Sequence, residues 1–290
     1  MIYIILMLVA LSLSFFAIIT YFYRYPSKGI QRIRYLEKVK ERYAKQITGP
    51  KRLIVGGSDV LYCFNTEAMN KELRIPTVNF GLNVGLGMGY LLDFAKRNLN
   101  PGDQVIICLA YSLYYKKPYD IFSYEYYRMY ERKKLKRFSL KERIYFFLAN
   151  LKLNLSYVQK QFNLTDSGAY VEVVGSKFEA KKNIPLNFPE HFVETESILH
   201  LKQFKKYCVE NRIDIKLTFP STLYFPDYIK CTYLNELFRY VSTEFVCIGE
   251  PIIYFVPESQ IYNSVYHVND MGQLLRTNSL IDYLKVQEGE

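Results

Sequence analysis

The first 23 residues, MIYIILMLVALSLSFFAIITYFY, carry no charged side chain. As a helix they span about 34 Å, slightly more than the hydrocarbon thickness of a bilayer, and nothing in the first turns is polar enough to face water beside a soluble core. A cleaved signal peptide needs a basic start, a shorter apolar core and small residues at the cleavage point. Here no charge precedes the core, and Tyr21, Phe22 and Tyr23 fill its end. Residues 1–23 are therefore read as an uncleaved transmembrane anchor with tyrosines at the interface.

The net charge of +10 is concentrated in two places. From Arg24 to Pro50, eight basic side chains (Arg24, Lys28, Arg32, Arg34, Lys38, Lys40, Arg42 and Lys45) face two acidic ones (Glu37 and Glu41), a net of +6. Directly after an apolar stretch, residues 24–50 read as a basic juxtamembrane segment. The second cluster, Glu131 to Arg143 (ERKKLKRFSLKER), lies among tyrosines and matches no zinc-finger, RRM or KH pattern. The partner implied is the membrane lipid bilayer and not nucleic acid. Positive flanks resist translocation, so a single-pass protein of the plasma (inner) membrane is expected, with its soluble part in the cytoplasm. The five cysteines, Cys63, Cys108, Cys208, Cys231 and Cys247, form no CxxC pair and no cysteine-histidine spacing. They read as small buried hydrophobes in a reducing compartment rather than as a disulfide framework or a metal site.

Half of the residues are hydrophobic, enough for a full core, and no Pro/Gly/Ser-rich linker divides residues 51–284, so one domain is expected there. Its apolar runs are short and β-branched, and they alternate with amphipathic segments of helical length. Strands are predicted at Arg52–Val55, Thr77–Phe80, Gln104–Ala110, Asp214–Phe219 and within Phe245–Phe255. Helices are predicted near Thr66–Leu73, Leu86–Leu99, Glu196–Asn211, Leu234–Val241 and Met271–Leu284. Strands with little internal polarity belong to a mainly parallel sheet covered on both faces, and right-handed crossovers then give a three-layer α/β/α sandwich. Residues 111–187 fit this scheme badly and read as an insertion. Its first part is crowded with tyrosine, and Ser139-Leu-Lys-Glu142 is a capping-box pattern leading into the apolar run Ile144–Leu155, so a helical lid or a membrane-facing elaboration is expected.

Chemistry is most legible in Arg52-Leu-Ile-Val-Gly-Gly-Ser-Asp-Val60. An apolar strand ends in two glycines and a serine, a turn that sets a side chain above the carboxyl end of a central strand. Ser58 is thus placed as a nucleophile, although the fragment alone also reads as a tight turn with glycine for its backbone and serine as a cap. The glycine spacing is wrong for a dinucleotide fingerprint. At the other end, Tyr262-Asn-Ser-Val-Tyr-His267-Val-Asn-Asp-Met-Gly272 puts one of three histidines just ahead of the final helix. A serine and a histidine at strand-to-helix junctions can meet over the same sheet edge. His191 and His200 read as surface residues.

These blocks resemble the SGNH/GDSL hydrolases: Gly57-Ser58-Asp59 is similar to the first block, Val78-Asn79-Phe80-Gly81-Leu82 to the second, and Tyr266-His267-Val268-Asn269 with Gly272 and Arg276-Thr277 to the last. GGSDV, IPTVNFGLNVGLG, NPGDQVIICLAYSLY and the histidine block together are similar to membrane-anchored members linked with O-acylation of bacterial surface polysaccharides. The resemblance implies an SGNH-like, flavodoxin-like domain over 51–284, Ser58 as nucleophile, His267 as its base, and an oxyanion hole from the backbone amides of Ser58 and Gly81. Two departures stand out. The third block should carry an asparagine, but the chain runs Ile106-Ile-Cys-Leu-Ala-Tyr-Ser112, leaving Asn83 as a substitute donor. The family's aspartate three or four residues before the histidine is replaced by Ser264 and Asn263.

The expected function is a membrane-anchored acyltransferase or esterase acting on cell-surface polysaccharide or its precursors, with no bound cofactor, an acyl donor such as acetyl-CoA and a glycan or lipid-linked glycan as acceptor. The alternative is a catalytically degraded SGNH fold that binds or assembles polysaccharide machinery. A lipid esterase with the insertion as its lid is a third. Many members of the family work outside the membrane, so an extracytoplasmic domain is the alternative placement.

Overall fold

A computed structural model describes residues 2–156 and 162–289 of the chain; residues 157–161 of the expected insertion lie outside the described residues. Helix α1 (Ile2–Arg24) has no buried residue and is long and apolar enough to cross a bilayer. After Ser27, whose hydroxyl accepts the Ile30 amide at 3.2 Å, comes α2 (Lys28–Gln46). Read from sequence as a charged flank, this segment is instead an amphipathic helix burying Ile30, Ile33, Leu36 and Ala44. Charge is buried with them. Lys40 donates to the carbonyls of Asn79 at 2.6 Å and Gly168 at 2.7 Å, and burial pulls its pKa well below the usual lysine value. Glu37 accepts from the Tyr90 hydroxyl at 2.6 Å.

The expected alternation of strands and helices follows. Strand β1 (Arg52–Gly56) leads into α3 (Ser58–Cys63) and α4 (Thr66–Glu72), and β2 (Thr77–Gly81) into α5 (Met88–Lys96). Strand β3 (Gln104–Cys108) precedes α6 (Ser112–Tyr115), α7 (Ile121–Tyr130) and α8 (Leu140–Ser156). The chain then runs through α9 (Glu196–Glu210), β4 (Asp214–Thr218), β5 (Thr222–Leu223), α10 (Thr232–Glu244), β6 (Val246–Ile248) and β7 (Phe255–Val256). It closes with β8 (Ile261–Ser264), β9 (His267–Val268) and α11 (Asp270–Glu288).

Five strands form a parallel sheet in the order β2-β1-β3-β4-β6, with Ile54 opposite both Asn79 and Ile106. On one face Ile54 and Ile106 pack with Val60 of α3, Phe64 just after it, Met69 of α4, and Leu280 and Ile281 of α11. Alternate residues point to the other face, where α5 packs on β1 and α9 on β4. The result is the three-layer α/β/α sandwich. From β1 the chain steps out to β2 and then returns to place β3 on the opposite side of β1, so the crevice at the carboxyl end of β1 is the topological switch point, where open α/β sheets bind ligands.

The chain divides into two compact units, Met1–Arg34 with Asp120–Gln161 and Tyr35–Tyr119 with Phe162–Glu290. The division differs from the expected insertion. Residues 162–187 belong to the α/β unit because Ala169, Tyr170 and Val173 are buried there and the Ser167 carbonyl accepts the Asn79 amide at 2.9 Å. In the unit that holds α1, most tyrosines of α7 pack inward while Tyr21, Tyr23, Tyr25 and Tyr145 stay exposed. Tyr124, Tyr126 and Tyr127 are buried, and Tyr124 lies 5.6 Å from Phe138 and 6.0 Å from Phe146, ring to ring. The predicted capping box forms: the Ser139 amide and hydroxyl both donate to Glu142 at 2.9 Å.

Candidate active site

Ser58 is the first residue of α3, one step beyond the Gly57 that follows β1. The glycines around it are dictated by close approach. A Cβ on Gly56 would lie 2.0 Å from the Cys108 carbonyl oxygen of β3, and one on Gly81 would lie 2.2 Å from the Leu61 nitrogen, so a side chain at Gly56 would collide with the neighbouring strand and one at Gly81 would push α3 off the sheet. Asn79 ties the same helix down, its amide donating to the Val60 carbonyl at 3.0 Å and the Phe64 carbonyl at 2.9 Å.

His267 sits on the short hairpin of β8 and β9, where it pairs with Ser264. Its Nε2 is 2.9 Å from the Ser58 hydroxyl, and its Nδ1 is 2.8 Å from Asn263 Oδ1. With the Asn263 carbonyl oxygen turned to the ring, Nδ1–H donates to it and the Nε2 lone pair faces Ser58, the tautomer a general base requires. The Tyr62 ring stacks on the imidazole at 4.0 Å with 6° between planes. Tyr62 in turn meets Tyr170 at 5.1 Å and Phe162 at 6.0 Å, and Gln273 holds its carbonyl at 2.8 Å. Sequence reasoning missed this residue. The available signal was its position four residues after Ser58, one helical turn away on the same face.

The other members of the last block hold α11 in place. Asn269 caps it by accepting the Gly272 amide at 3.1 Å, Arg276 donates to Thr218 Oγ1 at 2.6 Å, and the Thr277 hydroxyl accepts the Asn65 amide at 3.1 Å. Asp270, the nearest carboxylate in sequence, is exposed and accepts the Gly175 amide at 3.2 Å. His191 is exposed beside Glu236 at 3.1 Å, and His200 lies edge-on to Tyr119 at 5.4 Å.

Of the two expected donors, the Gly81 amide is engaged elsewhere, while Asn83 is held only through its side-chain oxygen and keeps its NH2 group to donate. The Gly81 amide donates to Asn79 Oδ1 at 2.9 Å, so the role of Gly81 is to admit α3 and not to bind an oxyanion. The Asn83 side chain accepts the Gly85 amide at 2.8 Å as the cap of the short 3₁₀ turn Val84–Leu86. The amide that does approach the serine turn is that of Val84, whose nitrogen lies 3.0 Å from where a Cβ on Gly57 would be. It donates to no acceptor among the described residues. A backbone amide leaves no trace in side-chain identity, which is why the sequence did not reveal it.

Asp59 is fully buried beside the Ser58 turn. Neither carboxylate oxygen makes a hydrogen bond of ordinary geometry. Desolvation raises its pKa to about 7, opposed only in part by nearby amides of residues 57, 59, 60 and 110. A carboxyl that keeps its proton longer when folded loses stability as pH rises from the unfolded value, about 4, to the folded value, about 7. Asp59→Asn should remove that loss. The melting temperature of the detergent-solubilised variant is expected to gain on the parent across this window, by an amount equivalent to at most about 4 kcal/mol; a constant difference between the two would show that Asp59 is ionised throughout.

No family model matches the sequence, and no curated protein does either. Among solved structures the chain is similar to a Streptococcus pneumonia protein described provisionally as a platelet activating factor, at 12% identity and a TM-score of 0.44 over 88% of this chain and 94% of that one. It is also similar to a lipolytic protein of the G-D-S-L family, again described provisionally, from Desulfitobacterium hafniense DCB-2, at 11% identity and a TM-score of 0.41 over 81% and 99% of the two chains. A third likeness is to an acetyl xylan esterase from the rumen bacterium Butyrivibrio proteoclasticus, at 10% identity and a TM-score of 0.39 over 84% of this chain and 65% of that one. These likenesses are distant.

Proposed function

We propose that the chain is an esterase or O-acyltransferase in which Ser58 is the nucleophile, His267 its base, and the amides of Ser58 and Val84 the oxyanion donors. The carrying observation is the 2.9 Å approach of Ser58 Oγ to His267 Nε2, with Asn263 at 2.8 Å on the far nitrogen. Ser58 Oγ attacks the acyl carbonyl as its proton passes to Nε2. The tetrahedral intermediate collapses, the leaving alcohol or thiolate takes that proton, and an acyl-serine remains. Water or a second hydroxyl then attacks the acyl carbonyl as its proton passes to Nε2, and the bond to Ser58 breaks as Nε2 returns that proton to Ser58 Oγ, which restores the free serine. Amide donors preset for the oxyanion lower both barriers by several kcal/mol. We assign the acyl donor to an activated ester such as acetyl-CoA and the acceptor to a glycan or lipid-linked glycan. The test is labelling of the full-length chain by a fluorophosphonate probe and mapping of the modified residue. Modification at Ser58 supports the proposal, and none at Ser58 overturns it.

Asn263 favours a second reading, a non-catalytic component of a polysaccharide machine. A neutral amide orients the imidazole but does not stabilise imidazolium as a carboxylate does. A chain of that kind would leave the fluorophosphonate probe unreacted.

We place the α/β unit in the cytoplasm, since the +6 run from Arg24 to Pro50 follows the anchor directly. Reporter fusions after Leu284 test this. A fluorescent cytoplasmic reporter and inactive alkaline phosphatase are expected; the reverse pattern would put the site outside and make exported glycan the substrate.

A further inference from the structure

We propose that the unit holding α1, α7 and α8 docks on the anionic surface of the bilayer that α1 enters. The exposed face of α8 lies in the headgroup boundary, and the basic turn Arg132–Arg137 lies on the lipid phosphates. This rests on reading α1 as membrane-spanning.

Three observations converge on a lipid surface. The first is continuity with the anchor. Arg128 of α7 donates to the Tyr23 carbonyl and, at 3.0 Å, to the Phe22 carbonyl, and its guanidinium lies 5.0 Å from the Tyr23 ring and 5.6 Å from the Phe147 ring of α8. A cation on the last carbonyls of α1 satisfies the helix end. It also seats α7 and α8 at the level where the apolar run stops and Tyr21, Tyr23 and Tyr25 are exposed.

The second is the face of α8. Leu140, Ile144 and Leu148, spaced four apart, are 73%, 56% and 56% exposed, with Tyr145 at 65% beside them, while Phe146 and Asn150 are buried on the inner side. The outer stripe is apolar where a surface helix should be polar. The third is charge. Lys141 and Lys152 flank the stripe, and Glu142 is turned to its Ser139 cap. The preceding turn, RKKLKR, has five basic residues in six, with Lys134 paired to Glu131 at 2.6 Å and Arg132 donating to the Arg128 carbonyl at 3.3 Å. An apolar face bordered by lysines and joined to a basic turn matches an interfacial helix on anionic lipid, where each basic side chain adds to the hydrophobic insertion. A soluble protein partner would have no such need to lie level with the end of α1.

The chain contains no tryptophan, so Tyr145→Trp gives a single tryptophan at an exposed site, excited selectively at the red edge where tyrosine does not absorb. Phe15→Trp in α1 and Val209→Trp on the exposed surface of α9 serve as references. Each full-length variant is reconstituted in phosphatidylcholine vesicles with and without phosphatidylglycerol, using brominated acyl chains as quenchers. The Tyr145→Trp probe is expected to shift to the blue and to be quenched several-fold more in the anionic vesicles, and to lose that excess when Lys133, Lys136 and Arg137 are changed to glutamate. The Val209→Trp probe should remain unquenched. Quenching of Phe15→Trp with a water-like Tyr145→Trp would overturn the docking and leave the anchor intact; neither being quenched would remove both. Equal quenching in the two vesicles would overturn the role of the basic turn. Shielding of Tyr145→Trp from acrylamide without lipid quenching would mean that protein, not lipid, covers α8.

Discussion

Ser58→Ala is expected to abolish labelling by a fluorophosphonate and to lower hydrolysis of a simple acyl ester to the rate left by binding and oxyanion contacts alone. Where a nucleophile and its base act as a unit, loss of either costs up to about 10⁶ in kcat, and loss of both costs little more. The neutral Asn263 starts this chain from a lower rate, so a fall of about 10² to 10³ is the fitting expectation here. His267→Ala should reach the same floor, and the double variant should stay there, because Ser58 and His267 share one proton across 2.9 Å. Additive losses, or labelling that survives Ser58→Ala, would remove Ser58 from the chemistry. Both side chains are only part-buried, so melting temperatures close to the parent's distinguish lost chemistry from lost fold.

The opposite effect is expected at Asn263. Oδ1 of Asn263 already lies 2.8 Å from His267 Nδ1, so Asn263→Asp changes the charge at that point while keeping its shape. A carboxylate accepts the same Nδ1–H and, unlike the amide, stabilises the imidazolium that forms as Ser58 gives up its proton; the reverse exchange in a serine protease costs about 10⁴. Asn263→Asp should therefore raise ester hydrolysis by about 10² or more, and pre-steady-state acylation should rise with it. An unchanged rate with Ser58→Ala still inactive would mean that the serine and histidine work as a dyad. A rise in labelling without turnover would locate the limit in deacylation, at the acceptor.

Sequence patterns exposed the parts of this fold in which one residue type does one job. The buried strands Arg52–Gly56 and Gln104–Cys108 are apolar because both faces of the sheet are covered, and the Gly-Gly-Ser turn has glycine because the Cys108 carbonyl stands where a Cβ would be. Other features depend on partners far away in the chain. Lys40 looks like one more solvated cation until the carbonyls of Asn79 and Gly168 close around it. Gly81 matches an oxyanion glycine in sequence, but the Asn79 side chain two residues earlier takes its amide. Tyr62 is one tyrosine among 28, marked out only by the ring that comes to lie on it from the opposite end of the chain. A rule that charged residues stay in water, or that a motif glycine offers its N–H to substrate, holds until tertiary contacts reassign the group.

In the proposed reaction, the stack of Tyr62 on His267 would also govern how an acceptor reaches the acyl group. One face of the imidazole is covered at 4.0 Å, and its Nδ1 edge is held by Asn263. The stacked face and the Nδ1 edge are closed, so an incoming nucleophile reaches the imidazole by way of the Nε2 rim beside Ser58. Water fits that approach at any tilt. A sugar fits it in few orientations, because the ring that carries the reacting hydroxyl must clear the wall formed by Tyr62, Tyr170 and Phe162. Regioselectivity, the choice of which hydroxyl on a polyol receives the acyl group, would then be governed by an aromatic side chain that exchanges no proton with the substrate.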